Sequence, residues 1–210
     1  MKTFSSVILK TVLLSLFILA FSYATFPENW KAVESKSGIQ VFERWVDINK
    51  DLKVKERRGV IQVRKSLPEV VKTLKDPSNT RLWMEHVSDA YLVKQVSDNV
   101  WLSYTCFAIP WPFESRDMVS LSTLEYNNNG SSAYIIIRSK GEAIPVKPKT
   151  SRLNNFKACW EIKDLGKGQC SISFTAMTYA APDYPRFIQD PVIRGTFYRN
   201  MLNLKTILDQ

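Results

Sequence analysis

Histidine is almost missing from this chain: His86 is the only one in 210 residues. A multi-histidine metal site is therefore excluded, and a Ser-His-Asp triad would have to be built on that one side chain. Cysteine is scarce and odd in number. Cys106, Cys159 and Cys170 cannot form a disulfide framework. Cys159 and Cys170 flank a turn at Asp164–Gly168, but a symmetric hairpin there sets Cys170 opposite about Lys163, not Cys159. All three read as buried thiols, which behave as small hydrophobes. No long block of like charge occurs, so no nucleic-acid-binding arm is indicated. No apolar run approaches the roughly 20 residues that a membrane-spanning helix needs. There is no internal repeat and no low-complexity tract.

What is present begins with a secretory signature. Lys2 and Lys10 precede the apolar run Val12–Phe21, and Ser22-Tyr23-Ala24 follows with small residues at its two ends. A charged start, a short apolar middle and a small-x-small exit are the marks of a signal peptide. Residues 1–24 are expected to be cleaved before Thr25 rather than retained as an anchor, which puts the mature protein outside the cytoplasm. Residues 25–210 are one domain's worth of chain. The charge is basic, +9 from 29 Lys and Arg against 20 Asp and Glu. Such a surface is either merely soluble or attracted to anionic surfaces such as lipid headgroups.

The pattern along the chain is α+β. A short N-terminal helix is expected, with Thr25 as cap, Pro27 in its first turn, Trp30 and Val33 facing inward and Gly38 ending it. Strands follow at Ile39–Trp45 and Lys53–Val63. Ser66 caps a helix that carries Pro68 and Glu69 in its first turn and Val70, Val71 and Leu74 on its apolar face. Asp76-Pro77 breaks it, and a second short helix spans Thr80–His86, with Leu82 and Trp83 as candidates for burial. Three hairpins come next: Tyr91–Val96 with Val100–Ile109, Met118–Tyr126 with Ala133–Ser139, and Phe156–Lys163 with Cys170–Tyr179. Alternation is cleanest in the last, where Phe156, Ala158, Trp160 and Ile162 share a face. One long helix ends the chain. Asp190 is read as its cap and Pro191 as its first residue. Ile193, Phe197, Met201, Leu204 and Leu208 form a single apolar stripe along it. A long antiparallel sheet twists and curls, so the sheet is expected to grip this helix and can leave room for an apolar ligand between them.

The segment Cys106-Phe107-Ala108-Ile109-Pro110-Trp111-Pro112-Phe113-Glu114-Ser115-Arg116-Asp117-Met118-Val119 resembles the strand–loop–strand signature of START domains, the lipid-transfer modules related to the steroidogenic acute regulatory protein. Lys36–Arg44 resembles that family's early strand, and Asp76 with Arg81-Leu82-Trp83 resembles its Asp…Arg…Trp stretch. The three segments occur in the family's order. The resemblance implies a helix-grip fold, with an incomplete antiparallel barrel around a tunnel closed by the C-terminal helix. It implies one bound lipid or other apolar molecule, no cofactor and no covalent chemistry. The door would be two loops, Ile109–Ser115 and Ala181–Gln189. Sterol-binding members tend to carry an acidic residue near the position of Thr105, partnered with the Arg of the Arg-Asp pair; here no carboxylate lies between Val100 and Ile109. The leader points to a periplasmic member from a Gram-negative bacterium. An enzyme of the wider helix-grip group is the alternative, but it would need a positioned acid and base.

Candidate site residues follow from these readings. Arg116 either points inward, to bind an anionic headgroup through its planar fork, or outward as half of a surface pair with an acid. Asp117 reads as structural. Strand and helix phase nominate Trp83, Tyr104, Phe107, Trp160 and Phe174 for the tunnel wall, with Phe197 and Met201 facing them from the last helix. Trp111 and Phe113 on one loop, and Tyr184, Phe187 and Ile188 on the other, either meet a membrane interface transiently or tuck in as core. Nothing marks an oligomer interface.

Overall fold

The computed structural model describes residues 29–147 and 150–210. The leader and the expected cap and first turn at Thr25 and Pro27 lie outside them. Within the domain, ten strands make one curved sheet: β1 (Lys31–Lys36), β2 (Ile39–Asp47), β3 (Lys53–Val63), β4 (Val87–Ser97), β5 (Val100–Phe107), β6 (Arg116–Tyr126), β7 (Ser132–Ser139), β8 (Ser151–Arg152), β9 (Phe156–Gly166) and β10 (Gln169–Thr178). The spatial order is β1-β2-β3-β10-β9-β7-β6-β5-β4, with the two-residue β8 pairing parallel to β6. All other neighbours are antiparallel. Helix α1 (Leu67–Lys75), a 3₁₀ turn at Pro77–Asn79 and α2 (Thr80–Trp83) connect β3 to β4, and α3 (Arg186–Leu208) closes the chain.

Local chemistry accounts for most of these limits. The N–H of Ser66 donates to Glu69 Oε2 at 3.0 Å and starts α1. Asp76 ends it and caps the next turn by accepting from the Ser78 N–H at 2.9 Å. On β9 the expected alternation holds, with Ala158, Trp160 and Ile162 buried and Lys157 exposed. Cys170 faces Asp164, one residue from the sequence estimate, and all three cysteines are free thiols, but only Cys170 is buried as expected; Cys106 and Cys159 are half-buried.

Three readings are corrected. The described part of the expected N-terminal helix, from Lys31, is strand β1. Lys36 pairs with Ile39 across Ser37-Gly38, both at positive φ (54° and 74°), which makes a two-residue primed turn. A glycine at positive φ also ends helices, so Gly38 pointed equally well to either element. The second helix stops at Trp83, not His86; Leu82 on it is 64% exposed while Trp83 is buried. Helix α3 starts a turn earlier than expected, so Pro191 lies inside it and Asp190 is no cap. Pro191 cannot donate to the carbonyl four residues back. That carbonyl belongs to Phe187, which is 79% exposed, so water can satisfy it.

The core sits where the C-terminal half of α3 meets the sheet. Met201, Leu204 and Leu208 are fully buried there, against Ile39, Val41, Ile61, Ile162 and Ile172, with Val70 and Val71 of α1 beside them. Gly59 on β3 makes the approach possible. A Cβ at that position would lie 2.6 Å from Met201 Cγ and 3.0 Å from Phe197 Cε1. The N-terminal half of α3 rises off the sheet, and the space beneath it is the cavity.

Candidate ligand cavity

The cavity has a volume of about 580 Å³, within the usual range for small-molecule sites. Its walls are the inner face of the sheet, α2, the N-terminal half of α3 and two loops, residues 108–115 and 179–185. Four nominated residues form a continuous aromatic chain along it. Trp83 meets Trp160 edge-on with centroids 5.5 Å apart, Trp160 stacks on Phe174 at 4.1 Å, and Phe174 stacks on Phe197 at 5.6 Å. The chain runs from α2 through β9 and β10 to α3, joining residues more than a hundred positions apart. Phe107 also lines the cavity, on β5.

Two nominated residues lie elsewhere. Met201 is buried in the Gly59 notch and belongs to the core. Tyr104 is on the opposite face of the sheet from Phe107. It is fully buried, stacks on Tyr91 at 5.0 Å, and has the Lys147 ammonium 4.2 Å over its ring. Strand residues three apart point to opposite faces, so Tyr104 and Phe107 could not have shared a wall. Burial, together with Cys106 and Asp117 nearby, pushes the Tyr104 hydroxyl pKa above its ordinary value. The inward positions on β5 are Trp101, Ser103, Thr105 and Phe107. Trp101 was missed, although the same alternation would have found it. Ser103 Oγ and Ser120 Oγ share a hydrogen bond of 3.1 Å, so the wall carries a polar strip as well as rings.

Asp117 is structural, as expected, through a partner that sequence reasoning missed. The Arg152 guanidinium donates to both its carboxylate oxygens, at 2.6 and 2.9 Å, and to the carbonyls of Ile144 and Pro145 at 3.0 Å each. Burial alone would raise the Asp117 pKa, but the Arg152 hydrogen bonds and charge outweigh it and hold the carboxyl below the usual range. The pair staples the segment between β7 and β9 over the outer face of β6.

Arg116 faces the cavity but is not without an acid. It donates to Asp183 Oδ2 at 2.6 Å, with its side chain 24% exposed and that of Asp183 55% exposed. The two readings of Arg116 are thus each met in part: it lines the cavity and is also paired with a largely exposed acid, which comes from the other loop and not from the strand. Two more contacts tie the loops together. Tyr184 Oη donates to the Pro112 carbonyl at 2.8 Å, and its ring meets Phe113 edge-on at 4.8 Å. Phe113 and Trp111 both border the cavity, but Phe113 is half-buried whereas Trp111 is 92% exposed at its rim. Phe187 and Ile188 were read as loop residues. They lie on the first turn of α3, both exposed.

A charged group under the first turns of α3 had no sequence signal. Glu43, Lys55 and Arg57 come from β2 and β3, Asp190 and Arg194 from α3. Arg57 Nε donates to Glu43 Oε1 at 3.1 Å and Nη2 to Asp190 Oδ1 at 3.3 Å. Lys55 Nζ is 2.7 Å from Asp190 Oδ2 and 3.4 Å from Glu43 Oε2. Arg194 donates to both Glu43 oxygens, at 3.1 and 3.0 Å. Burial works to raise the Glu43 pKa; the Arg194 hydrogen bonds and the charges of Arg57, Lys55 and Arg194 prevail and lower it.

The family profile described as START domain matches residues 26–179. An uncharacterized protein of Pseudomonas aeruginosa is 21% identical over 188 residues, covering 89% of this chain and 90% of its own. Among solved structures, a STAR-related lipid transfer protein fragment from Xanthomonas axonopodis superposes with a TM-score of 0.77 at 22% identity, covering 87% of this chain and 100% of that one. The human StAR-related lipid transfer protein 5 superposes with a TM-score of 0.72 at 17% identity, covering 99% and 98%.

Proposed function

Because the chain belongs to the START-domain family, we propose that it binds a single lipid or other apolar molecule in the space between the sheet and α3, without covalent chemistry. The observation that carries this reading is the cavity of about 580 Å³ along which Trp83, Trp160, Phe174 and Phe197 form one aromatic surface. Rings in that arrangement offer an apolar guest a large dispersive contact, and the Ser103–Ser120 strip offers it a polar one. Mass spectrometry of organic extracts from the purified mature protein tests the reading. One class of apolar molecule enriched over a control protein is expected. No enrichment, together with no binding across a panel of lipids, overturns it.

The guest enters between the loops 108–115 and 179–185, which the Arg116–Asp183 pair and the Tyr184–Pro112 hydrogen bond hold together. Trp111 and Phe187 stand beside this door, exposed, and suit transient insertion at headgroup depth. Transfer between membranes is the activity that this arrangement serves.

The protein works outside the cytoplasm, in the periplasm of a Gram-negative cell, after loss of residues 1–24. No helix among the described residues is long and apolar enough to cross a bilayer. N-terminal sequencing of exported material should begin near Thr25; full-length protein confined to the cytosol removes the localisation.

A further inference from the structure

The charged group beneath the first turns of α3 holds more donors than its acids can accept. All four carboxylate oxygens of Glu43 and Asp190 are engaged. The cations are not used up. Among the described residues Nη1 of Arg57 has no hydrogen-bond partner, and Lys55 Nζ, 5.2 Å from the Trp45 ring centroid, keeps at least one N–H free after meeting Asp190 and Glu43. Of the five residues, the three that line the cavity are Lys55, Arg57 and Asp190, two positive charges and one negative. Arg194 and Glu43 stand behind them, and the further acid acting on Arg194 is Glu34 of β1, which is not part of the lining.

Most of the remaining lining charges have partners of their own. Arg116 is paired with Asp183, and Arg199 with Glu85 Oε1 at 2.7 Å, while Glu85 Oε2 is buried with no hydrogen-bond partner among the described residues. Arg186 donates to the Lys53 carbonyl at 2.6 Å and lies 5.0 Å over the Trp45 ring. Glu114 is at the exposed rim. On the β3–α3 side two cations, Lys55 and Arg57, thus face the cavity together, with Asp190 the one acid beside them in the lining. Arg57 is held there almost without exposure. Its spare Nη1 is not sealed from solvent, so water can serve it until a charged acceptor, which makes the stronger bond, takes that place.

From this we infer that the cavity's guest is an amphiphile with an anionic head, carboxylate or phosphate, received by Arg57 and Lys55 while its apolar part lies along the aromatic surface. The inference rests on the ligand-carrier reading and names the class of ligand within it. It also moves the polar anchor from Arg116, which Asp183 occupies, to the opposite wall.

The test compares heads on one chain. Oleate, oleoyl lysophosphatidate, oleyl alcohol and methyl oleate are titrated into the purified mature protein by displacement of a fluorescent fatty acid. Wild type should bind at least one of the two anions about tenfold more tightly than the alcohol or the ester, the worth of one charge-assisted hydrogen bond. The tighter of the two anions identifies the head. Lys55→Met leaves Arg57 to hold both acids, and should lower anion affinity about tenfold while leaving the alcohol unchanged. Equal affinity for all four heads in wild type overturns the inference and leaves the carrier reading intact, as does a folded Lys55→Met protein with unaltered anion binding. Failure of every one of the four to bind overturns the inference, and the carrier reading falls with it only if organic extracts also show no enriched molecule. The wild-type comparison decides the matter even if the variant does not fold.

Discussion

The two halves of α3 carry one continuous apolar stripe and meet opposite fates. From Met201 to Leu208 the stripe is fully buried against the sheet. From Arg186 to Phe197 it roofs a cavity: Ile193 is 36% exposed, and the polar side of the same half is held down by Glu43, Lys55 and Arg57. The gripping half is secured by packing and the roofing half by charge. Packing is dense and slow to yield; ion pairs can be remade by a guest or a proton. A helix that must both anchor a domain and admit a ligand is served by dividing the two tasks along its length.

The largest expected effects are in the gripping half. Leu204→Ala should cost about 2–5 kcal/mol, as for a fully buried leucine. Ile193→Ala in the roof should stay within about 0.5 kcal/mol. Chemical denaturation of the two variants compares the halves directly, and equal losses would erase the distinction. Next comes Gly59→Ala, where the new methyl drives into Met201 Cγ and Phe197 Cε1. About 1–3 kcal/mol of destabilisation is expected from this overpacking. An unchanged melting temperature would mean that the helix does not lie that close.

Acid should weaken the roof. The folded pKa of Glu43 is lowered from 4.5, so its contribution is fully present above that value and is lost as pH falls through the folded pKa. Asp117, lowered from 3.8, adds the same sign at lower pH through the Arg152 staple. Stability should therefore decline below about pH 4.5 and not between pH 5 and 8, and Glu43→Gln should flatten the upper part of that decline. Hydrogen exchange along α3 reads which half opens. Earlier opening of Leu204 than of Ile193 would contradict the division.

The smallest effects on stability, and the clearest on kinetics, belong to the door. The Arg116–Asp183 pair is partly exposed, and such pairs are worth about 0–1 kcal/mol. Asp183→Asn should barely shift the melting temperature but speed both uptake and release of a fluorescent lipid. Trp111→Asp should slow transfer between vesicles with binding at equilibrium unchanged, because Trp111 is exposed. Phe113→Asp, by contrast, loses the Tyr184 ring contact and should weaken binding itself. Identical behaviour of the two loop variants would show that the rings share one role.

Much of this was legible beforehand where a residue's partners are near it in sequence or in phase. The α1 start follows from Ser66 and Glu69, the β9 faces from alternation, and the aromatic wall from strand phase once Tyr104 is removed from it. Gly38 misled because a helix end and a primed hairpin both ask for positive φ, and Lys31–Lys36 is too polar to show which. Asp190 misled in a similar way. Beside a proline it looks like a cap, but its carboxylate is 2.7 Å from Lys55, which is 135 positions earlier.

Residue order by itself determined most of the elements, their periods, the apolar stripe of α3 and the START signature, because propensity, alternation and turn chemistry act over a few residues. Tertiary structure alone decided that the stripe would be divided between core and roof, that Arg116 would be joined by Asp183 and Asp117 by Arg152, and that Lys55 and Arg57 would face the cavity with donors to spare. Those outcomes depend on how far the sheet curls and where Gly59 lets the helix settle, and curvature sums small twists over every strand, which no short stretch of sequence contains.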